Sequence, residues 1–289
     1  MLGKEYVMRS IVCCASLFAL LCVVAAGSGA ADGGPSPGAI VGWDGIKAPA
    51  GGIRYVALPG GAARTTVAAV RVSGGRIVRF NTVPGLVGVP QVAFDGSVDG
   101  LSIDGRMLVL GSLPRPDDTR TTFQVLQTRN LSVTNTIRLR GQWSFDALSP
   151  DGATIYAIEY RLSADPPSYR VRAIDAATGR VRPGAIVDKR DPGEVMRGSP
   201  ITRSTEGGTA YTLYARPDGT AFIHALDTRR GTAACIDLPW KGTGSGIWAV
   251  RLSVADEVML LRQPGVGKLA SVDLRSLHVR GFRPPSSSS

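Results

Sequence analysis

The sequence predicts an all-β protein, a β-propeller of four-stranded antiparallel blades. Three observations carry that expectation: one stretch that holds four short strands, copies of its turns spaced near 50 residues, and a composition of strand and turn residues. The stretch is residues 144–182, SFDALSPDGATIYAIEYRLSADPPSYRVRAIDAATGRVR. Phe145, Ala147 and Leu148 form a short apolar run. Ser149-Pro150-Asp151-Gly152 then supplies a tight turn, because Pro150 presets φ, Asp151 bonds its own backbone and Gly152 accepts positive φ. Thr154 to Ile158 is β-branched and aromatic and reads as a second strand. Residues 161–168 are polar, carry two prolines and read as a loop. Tyr169, Val171 and Ala173 alternate with Arg170 and Arg172 along a third strand. Asp175 to Gly179 is a second turn, and Arg180-Val181-Arg182 opens a fourth strand. Four such strands in under 45 residues make one blade.

The turn after the third strand recurs. It begins at Asp175 in AIDAATG, at Asp227 in ALDTRRG and at Asp273 in SVDLRSL. Gln127 in VLQTRNL and Arg71 in AVRVSGG take the same place further upstream. The turn between the first and second strands recurs as Ser102 to Gly105, Ser149 to Gly152, Ser204 to Gly207 and Ser253 to Asp256. The units are then 50–82, 98–140, 144–184, 198–238 and 246–282. Five blades is the first count, and six follows if 83–97 and the N-terminal segment supply more strand. A β-sandwich also spaces short strands by about 8–12 residues, but nothing requires it to repeat every ~50.

The order Ser-Pro-Asp-Gly, apolar strand, loop, then apolar-x-apolar-Asp-x-x-Thr-Gly-x-Val resembles the YVTN-type and surface-layer (WD40-like) propeller repeats of secreted prokaryotic proteins. Ser149 to Gly152 with Ile174 to Val181 match best, and residues 95–282 match loosely. Ile155-Tyr156-Ala157-Ile158 stands where the YVTN tetrapeptide would. The resemblance implies a propeller on the cell exterior. It carries no site with it, because propellers host many unrelated functions.

The N-terminus reads as an export signal. Lys4 and Arg9 precede an apolar run from Ile11 to Ala26, and small residues follow from Gly27 to Ala31. That is the charged, apolar, small-residue order of a secretory signal over residues 1–31. A run of 16 residues is short for a membrane span, which takes about 20; an uncleaved anchor is the other reading. Residues 32–49 are a Gly/Pro-rich linker, within which Ala39 to Trp43 reads as a strand that could close the ring against the last blade. The propeller then covers 50–282, and 283–289 is a low-complexity tail expected to be disordered.

Cysteines 13, 14 and 22 sit in the signal, so Cys235 alone remains beyond it. An internal disulfide and a CxxC metal site are thereby excluded from the exported domain. Cys235 alternates as a strand residue does and reads as a buried structural thiol. The formal net charge is +10. The arginines are scattered through strands and read as a solvated basic surface, with attraction to acidic glycans or lipid headgroups as the functional reading. Nucleic acid is disfavoured by export and by the absence of a recognition motif.

The sequence pattern carries no catalytic set. His224 and His278 lie at non-equivalent places on different blades. No P-loop, Gly-x-Ser-x-Gly elbow or HExxH is present. Pro116-Asp117-Asp118 falls short of the roughly six to eight oxygens that calcium takes. Asn130-Leu131-Ser132 is a formal glycosylation sequon. No cofactor and no metal are expected.

Topology directs attention to the loops that join blades and the loops between second and third strands, which gather on one face of a propeller. On that face Trp143, Lys189, Arg190, Arg197, Trp240 and Lys241 are the candidate ligand-binding residues: two tryptophans beside cations suit a sugar or peptide rim. Both tryptophans can equally cover blade edges near the core. The expected function is a monomeric, extracytoplasmic, non-catalytic module that binds a protein, glycan or other envelope component. The alternatives are a propeller enzyme of lactonase or hydrolase type, disfavoured by few glutamates and scattered histidines, and a scaffold or sensor module.

Overall fold

The computed structural model describes residues 37–114, 119–161, 163, 168–191, 196–241, 244–281 and 283–286. Residues 1–31, expected to be an export signal, and 32–36 of the expected linker lie outside these, as do Arg115, Asp117, Asp118, Asp165 and Glu194.

Five antiparallel sheets follow one another along the chain as five blades. The first holds β2 (Gly42–Lys47), β3 (Ile53–Pro59), β4 (Arg64–Arg71) and β5 (Ile77–Pro84). The second holds β6 (Val87–Gln91), β7 (Met107–Ser112), β8 (Arg120–Gln127) and β9 (Ser132–Arg140), with β1 (Gly38–Ile40) added on the free edge of β6. The third holds β10 (Trp143–Leu148), β11 (Thr154–Arg161) and β12 (Ser168–Asp175). The fourth holds β13 (Ser199–Glu206), β14 (Thr209–Ala215), β15 (Ala221–Asp227) and β16 (Thr232–Leu238). The fifth holds β17 (Arg251–Ala255), β18 (Val258–Gln263), β19 (Gly267–Asp273) and β20 (His278–Arg280). A 3₁₀ helix, Gly244–Ala249, leads into β17. Among the described residues no helix is long and apolar enough to cross a membrane.

The turn after the third strand is the feature the sequence reveals most sharply. Arg71, Gln127, Asp175, Asp227 and Asp273 are each the last residue of their blade's third strand. Four residues on, Gly75, Leu131, Gly179, Gly231 and Leu277 all have positive φ. The chemistry explains the aspartates. Asp175 Oδ1 accepts the Thr178 amide, Asp227 Oδ1 accepts the amides of Arg229 and Arg230, and Asp273 Oδ1 accepts those of Arg275 and Ser276. Each carboxylate thus satisfies backbone donors that the turn would leave unpaired.

The turn between first and second strands is less uniform than its spelling suggests. In the second and third blades it is one structure: Ser102 and Ser149 donate to Asp104 and Asp151 at 2.6 Å and accept the amides of Met107 and Thr154. In the fourth blade Ser204 still pairs with Tyr211 inside the ladder, and Gly207-Gly208 makes the turn. In the fifth, Asp256-Glu257 makes it, both at positive φ. Those two copies are two-residue hairpins, so aligning them on serine misplaces them by several residues.

Apolar side chains pack between successive blades rather than in one central core. Val67 and Val83 of the first blade meet Leu108, Leu110 and Leu131 of the second. Phe123 and Ile137 meet Phe145 and Ile155. Tyr156 and Val171 meet Tyr214 and Phe222. Ile223 and Trp240 meet Met259 and Leu269. Val56, Ala68 and Val70 form a small cluster on the first blade by themselves. Polar stitches add to this packing: Asn81 of β5 donates to Leu131 O, and Asn135 of β9 donates to the carbonyls of Ala176 and Ala177. In each case an outer strand holds the turn of the next blade.

The N-terminal segment departs from its expected place. β1 pairs with β6 and β2 pairs with β3, so neither joins the last blade. The described part of the tail is also fixed: the Arg283 amide donates to Leu269 O, and Ser286 exchanges two hydrogen bonds with the Gln263 amide.

Gly152 tests the shared turn. It has φ +74°, and a Cβ there would stand 2.9 Å from Met107 Cγ. Gly141 has φ +84° with nothing within 4 Å. Both changes to alanine carry the left-handed penalty of about 1–2 kcal/mol, so Gly152→Ala is expected to lower the urea midpoint more than Gly141→Ala.

Candidate functional site

The inner strand of the second blade does not run straight through. β6 pairs with β7 only at Val87 and Gly88. The ladder resumes where the Val109 amide donates to Gly100 O and Leu101 pairs with Leu108. Between these points residues 91–98 fold back as a hairpin. Gln91 pairs with Val98, the Val92 amide donates to Ser97 O, and Asp95 caps the tip through the Ser97 amide and hydroxyl. The hairpin reaches the inner strand of the fourth blade. The amides of Phe94 and Asp95 donate to the carbonyls of Pro200 and Ile201 at 2.9 and 3.0 Å. β1 lies along Val89 to Gln91 beside it. The space enclosed by the inner strands is therefore occupied by this chain, with Val92 and Ala93 buried.

A buried charge system lies under the hairpin. Arg203 of β13 has 4% of its side chain exposed and Asp146 of β10 has 1%. The guanidinium donates through Nη1 to Asp146 O, through Nη2 to Asp146 Oδ1, and through Nε to Thr212 Oγ1 at 2.8 Å. Asp99, just past the hairpin, stands 3.9 Å from Arg203 Nη1. Asp146 Oδ2 is buried without a hydrogen-bond partner. Burial pushes the Asp99 carboxyl up from its usual 3.8 to about 6, although Arg203 and the Gly100 amide pull the other way. Burial is the largest influence on the Arg203 guanidinium and lowers it, but Asp146, Tyr214 and Asp99 together outweigh it, and the net direction is up.

The hairpin presents one exposed aromatic ring. Phe94 is 44% exposed and meets Trp248 of the 3₁₀ helix, itself 47% exposed, with ring centroids 5.5 Å apart at 74°. Edge-to-face pairing is a favoured aromatic geometry. Arg251 Nη1 donates to Trp248 O and Val250 O and fixes the end of that helix. The pair stands where chain enters β13 and β17, on the face of the blade-joining loops. Sequence reasoning passed over both residues. The signal for the hairpin was Asp95-Gly96 between apolar residues, a turn dipeptide hidden inside what reads as one loop.

The six residues expected at the rim do not form one patch. Trp143 is half-buried at the start of β10, donates Nε1 to Arg140 O at 2.8 Å and packs on the core between the second and third blades. Trp240 is 1% exposed inside the core between the fourth and fifth. Its apolar area finds a better place between blades than on a surface, although its Nε1 is left without a partner. Arg190 donates to both Asp188 oxygens and to Cys235 O, and its hydrogen bonds hold the Asp188 carboxyl well below the usual carboxylate range. Lys189 and Lys241 are exposed, and Arg197 is half-buried ahead of β13. His224 is buried beside a cavity of about 30 Å³, also lined by Tyr169 and Cys235, with Nε2 unpartnered. Burial lowers its pKa. His278 is exposed on β20. Among the described residues no group of three His, Cys, Asp or Glu side chains is placed to hold one metal ion.

No protein-family model and no curated protein matches the chain. Solved structures resemble it in fold. The dihydro-heme d1 dehydrogenase NirN matches at 13% identity and a TM-score of 0.48, over 89% of this chain and 49% of its own. Prolyl oligopeptidase B from Galerina marginata matches at 14% and 0.48, over 83% and 33%. BamB from Moraxella catarrhalis matches at 17% and 0.38, over 75% and 60%. The chain thus spans a third to three fifths of these proteins. At such values the likenesses bear on neither site nor activity.

Asp99 provides a pH test. The unfolded chain releases this proton near 3.8, and the folded chain holds it to about 6. Between those values the folded state binds more protons, so this group's stabilising contribution is full below 3.8 and is lost as pH rises through 6. Asp99→Asn removes that loss and keeps the acceptor for Gly100. The variant is expected to gain about 1–3 kcal/mol on the wild type between pH 4 and pH 6.5, read from urea unfolding, with a flat difference above.

Proposed function

We propose that this chain is an extracytoplasmic, non-catalytic propeller that binds an envelope protein or glycan through its loop face. The observation that carries this reading is the exposed Phe94–Trp248 pair. An aromatic ring left nearly half in water exposes apolar area that a ligand can cover, and two such rings in contact make a platform. The platform is also preorganised. The hairpin beneath Phe94 is hydrogen-bonded to β13, and the helix under Trp248 is anchored by Arg251. Little ordering free energy is then lost when a ligand arrives.

The hairpin that runs from the second blade to the fourth, with Val92 and Ala93 buried, supports a rim over a channel as the place of binding. The exterior location rests on the charged, apolar, small-residue order of residues 1–31 and on the resemblance of Ser149 to Gly152 to secreted surface-layer repeats. Lys241, exposed just past β16, would add attraction for acidic partners, weakened by salt.

The test is capture from an envelope extract of the source organism on immobilised protein, beside a Phe94→Ala, Trp248→Ala bait. Both rings are surface-mounted, so the thermal midpoint of the variant is expected to stay within a few degrees of the wild type. A component held by the wild type is expected to be retained at least tenfold less by the variant, about 1.4 kcal/mol or more. Equal retention on both baits would remove the rim from the account.

A further inference from the structure

The opposite face, which carries the tight turns, has a cleft between each pair of successive blades from the second to the fifth. Three such clefts can be compared. The one between the second and third blades, about 310 Å³, has Asp151 as its single charged lining residue. The one between the fourth and fifth, about 320 Å³, has Glu206, Glu257 and Arg275, and Arg275 is paired with Glu257. The one between the third and fourth is larger, about 470 Å³, and has Arg182, Arg229 and Arg230 against Asp151 alone. The same place in the fold is thus net negative twice and carries a surplus of two positive charges once.

The larger cleft has a structural cause. Every other blade has a continuous fourth strand, whereas the chain after β12 touches it only in places. The Arg182 amide donates to Ala173 O and the Ile186 amide to Val171 O. Between them Pro183 has no amide proton to give and Gly184 turns at φ +79°. The chain lifts away there, which leaves the largely buried Tyr156 and Ala173 as the floor of the cleft and Arg182 in its lining.

The hydroxyl of the floor is committed, since Tyr156 donates to Thr228 O at 3.0 Å. The guanidinium groups are not. Arg182 makes no side-chain hydrogen bond or ion pair among the described residues. Arg229 uses Nε on Gly207 O at 2.9 Å and keeps its Nη donors. Arg230 has one 3.2 Å contact to Asp227 on a side chain 82% exposed, a pair worth little in water.

We propose that this cleft binds a doubly charged tetrahedral oxyanion, the phosphate of a phosphomonoester or diphosphate. Two surplus charges match a dianion, and guanidinium forks match phosphate oxygens in geometry as well as charge. Arg182 from one wall and Arg229 from the other clasp the group, with Arg230 neutralising it from outside. The site is independent of the aromatic rim and lies on the other face.

The experiment uses the whole protein with two probes, inorganic diphosphate by calorimetry and phosphatidate vesicles by sedimentation against neutral phosphatidylcholine vesicles, at about 50 mM salt. Variants are Arg182→Ala, Arg229→Ala and, as a control on the same face, Arg106→Ala, whose side chain is 85% exposed. Arg182 makes no side-chain hydrogen bond or ion pair among the described residues, so its loss is expected to leave the thermal midpoint within a few degrees and keeps the test valid if Arg229→Ala unfolds. Diphosphate binding weakened at least tenfold by Arg182→Ala and unchanged by Arg106→Ala supports the site with a free phosphate as its ligand. Binding to phosphatidate vesicles alone, lost in Arg182→Ala, supports it with a lipid headgroup. Binding to neither probe, or equal loss in Arg182→Ala and Arg106→Ala, overturns it.

Discussion

Five sheets arranged as blades leave a space where their inner strands approach, and the rest of the structure depends on how that space is filled. Here the filling comes from the chain itself. A hairpin inserted in the inner strand of the second blade crosses to the fourth and bonds to Pro200 and Ile201. Arg203, two residues beyond Ile201, ties the third blade to the fourth through Asp146. A buried ion pair of this kind seldom adds net stability, because desolvation offsets the attraction. Its effect is on register: the guanidinium can satisfy Asp146 and Thr212 together only if β10 and β13 stand in one relation.

Blade-to-blade packing then follows a simple rule. Each pair of successive blades has its own apolar cluster, and at the first two pairs Asn81 and Asn135 on outer strands hold the next blade's turn. The first and fifth blades differ. No apolar cluster joins them among the described residues, and the first blade keeps Val56, Ala68 and Val70 as a group of its own. The N-terminal strand strengthens the second blade instead of clasping the fifth.

The parts legible in sequence were those written by local chemistry. Asp175, Asp227 and Asp273 mark turns because a carboxylate caps turn amides wherever it stands, and that requirement survives without help from tertiary contacts. Even Gln127 and Arg71, without the carboxylate, were placed correctly by spacing. The first-to-second turns of the last two blades were misread because serine can sit in a strand as readily as in a turn. Trp143 and Trp240 were read as a rim because tryptophan beside cations fits both a rim and a blade edge, and only packing distinguishes the two. The hairpin was hidden for a related reason. Its partner strand is more than a hundred residues away, and no local pattern encodes a contact of that range.

The two faces divide the chemistry. The loop face carries an exposed aromatic pair beside the hairpin, and the turn face carries a surplus of arginine charge in a cleft beside Pro183 and Gly184. The account of the loop face rests on the hairpin being a fixed part of the core. Amide hydrogen exchange at Phe94 and Asp95 tests that most directly, because their donors end on β13. The account predicts protection comparable to that of the strand amides of Val109 and Leu213, near the free energy of global unfolding. Exchange as fast as in an exposed loop would show that the hairpin leaves the axis, and the filled centre would have to be abandoned.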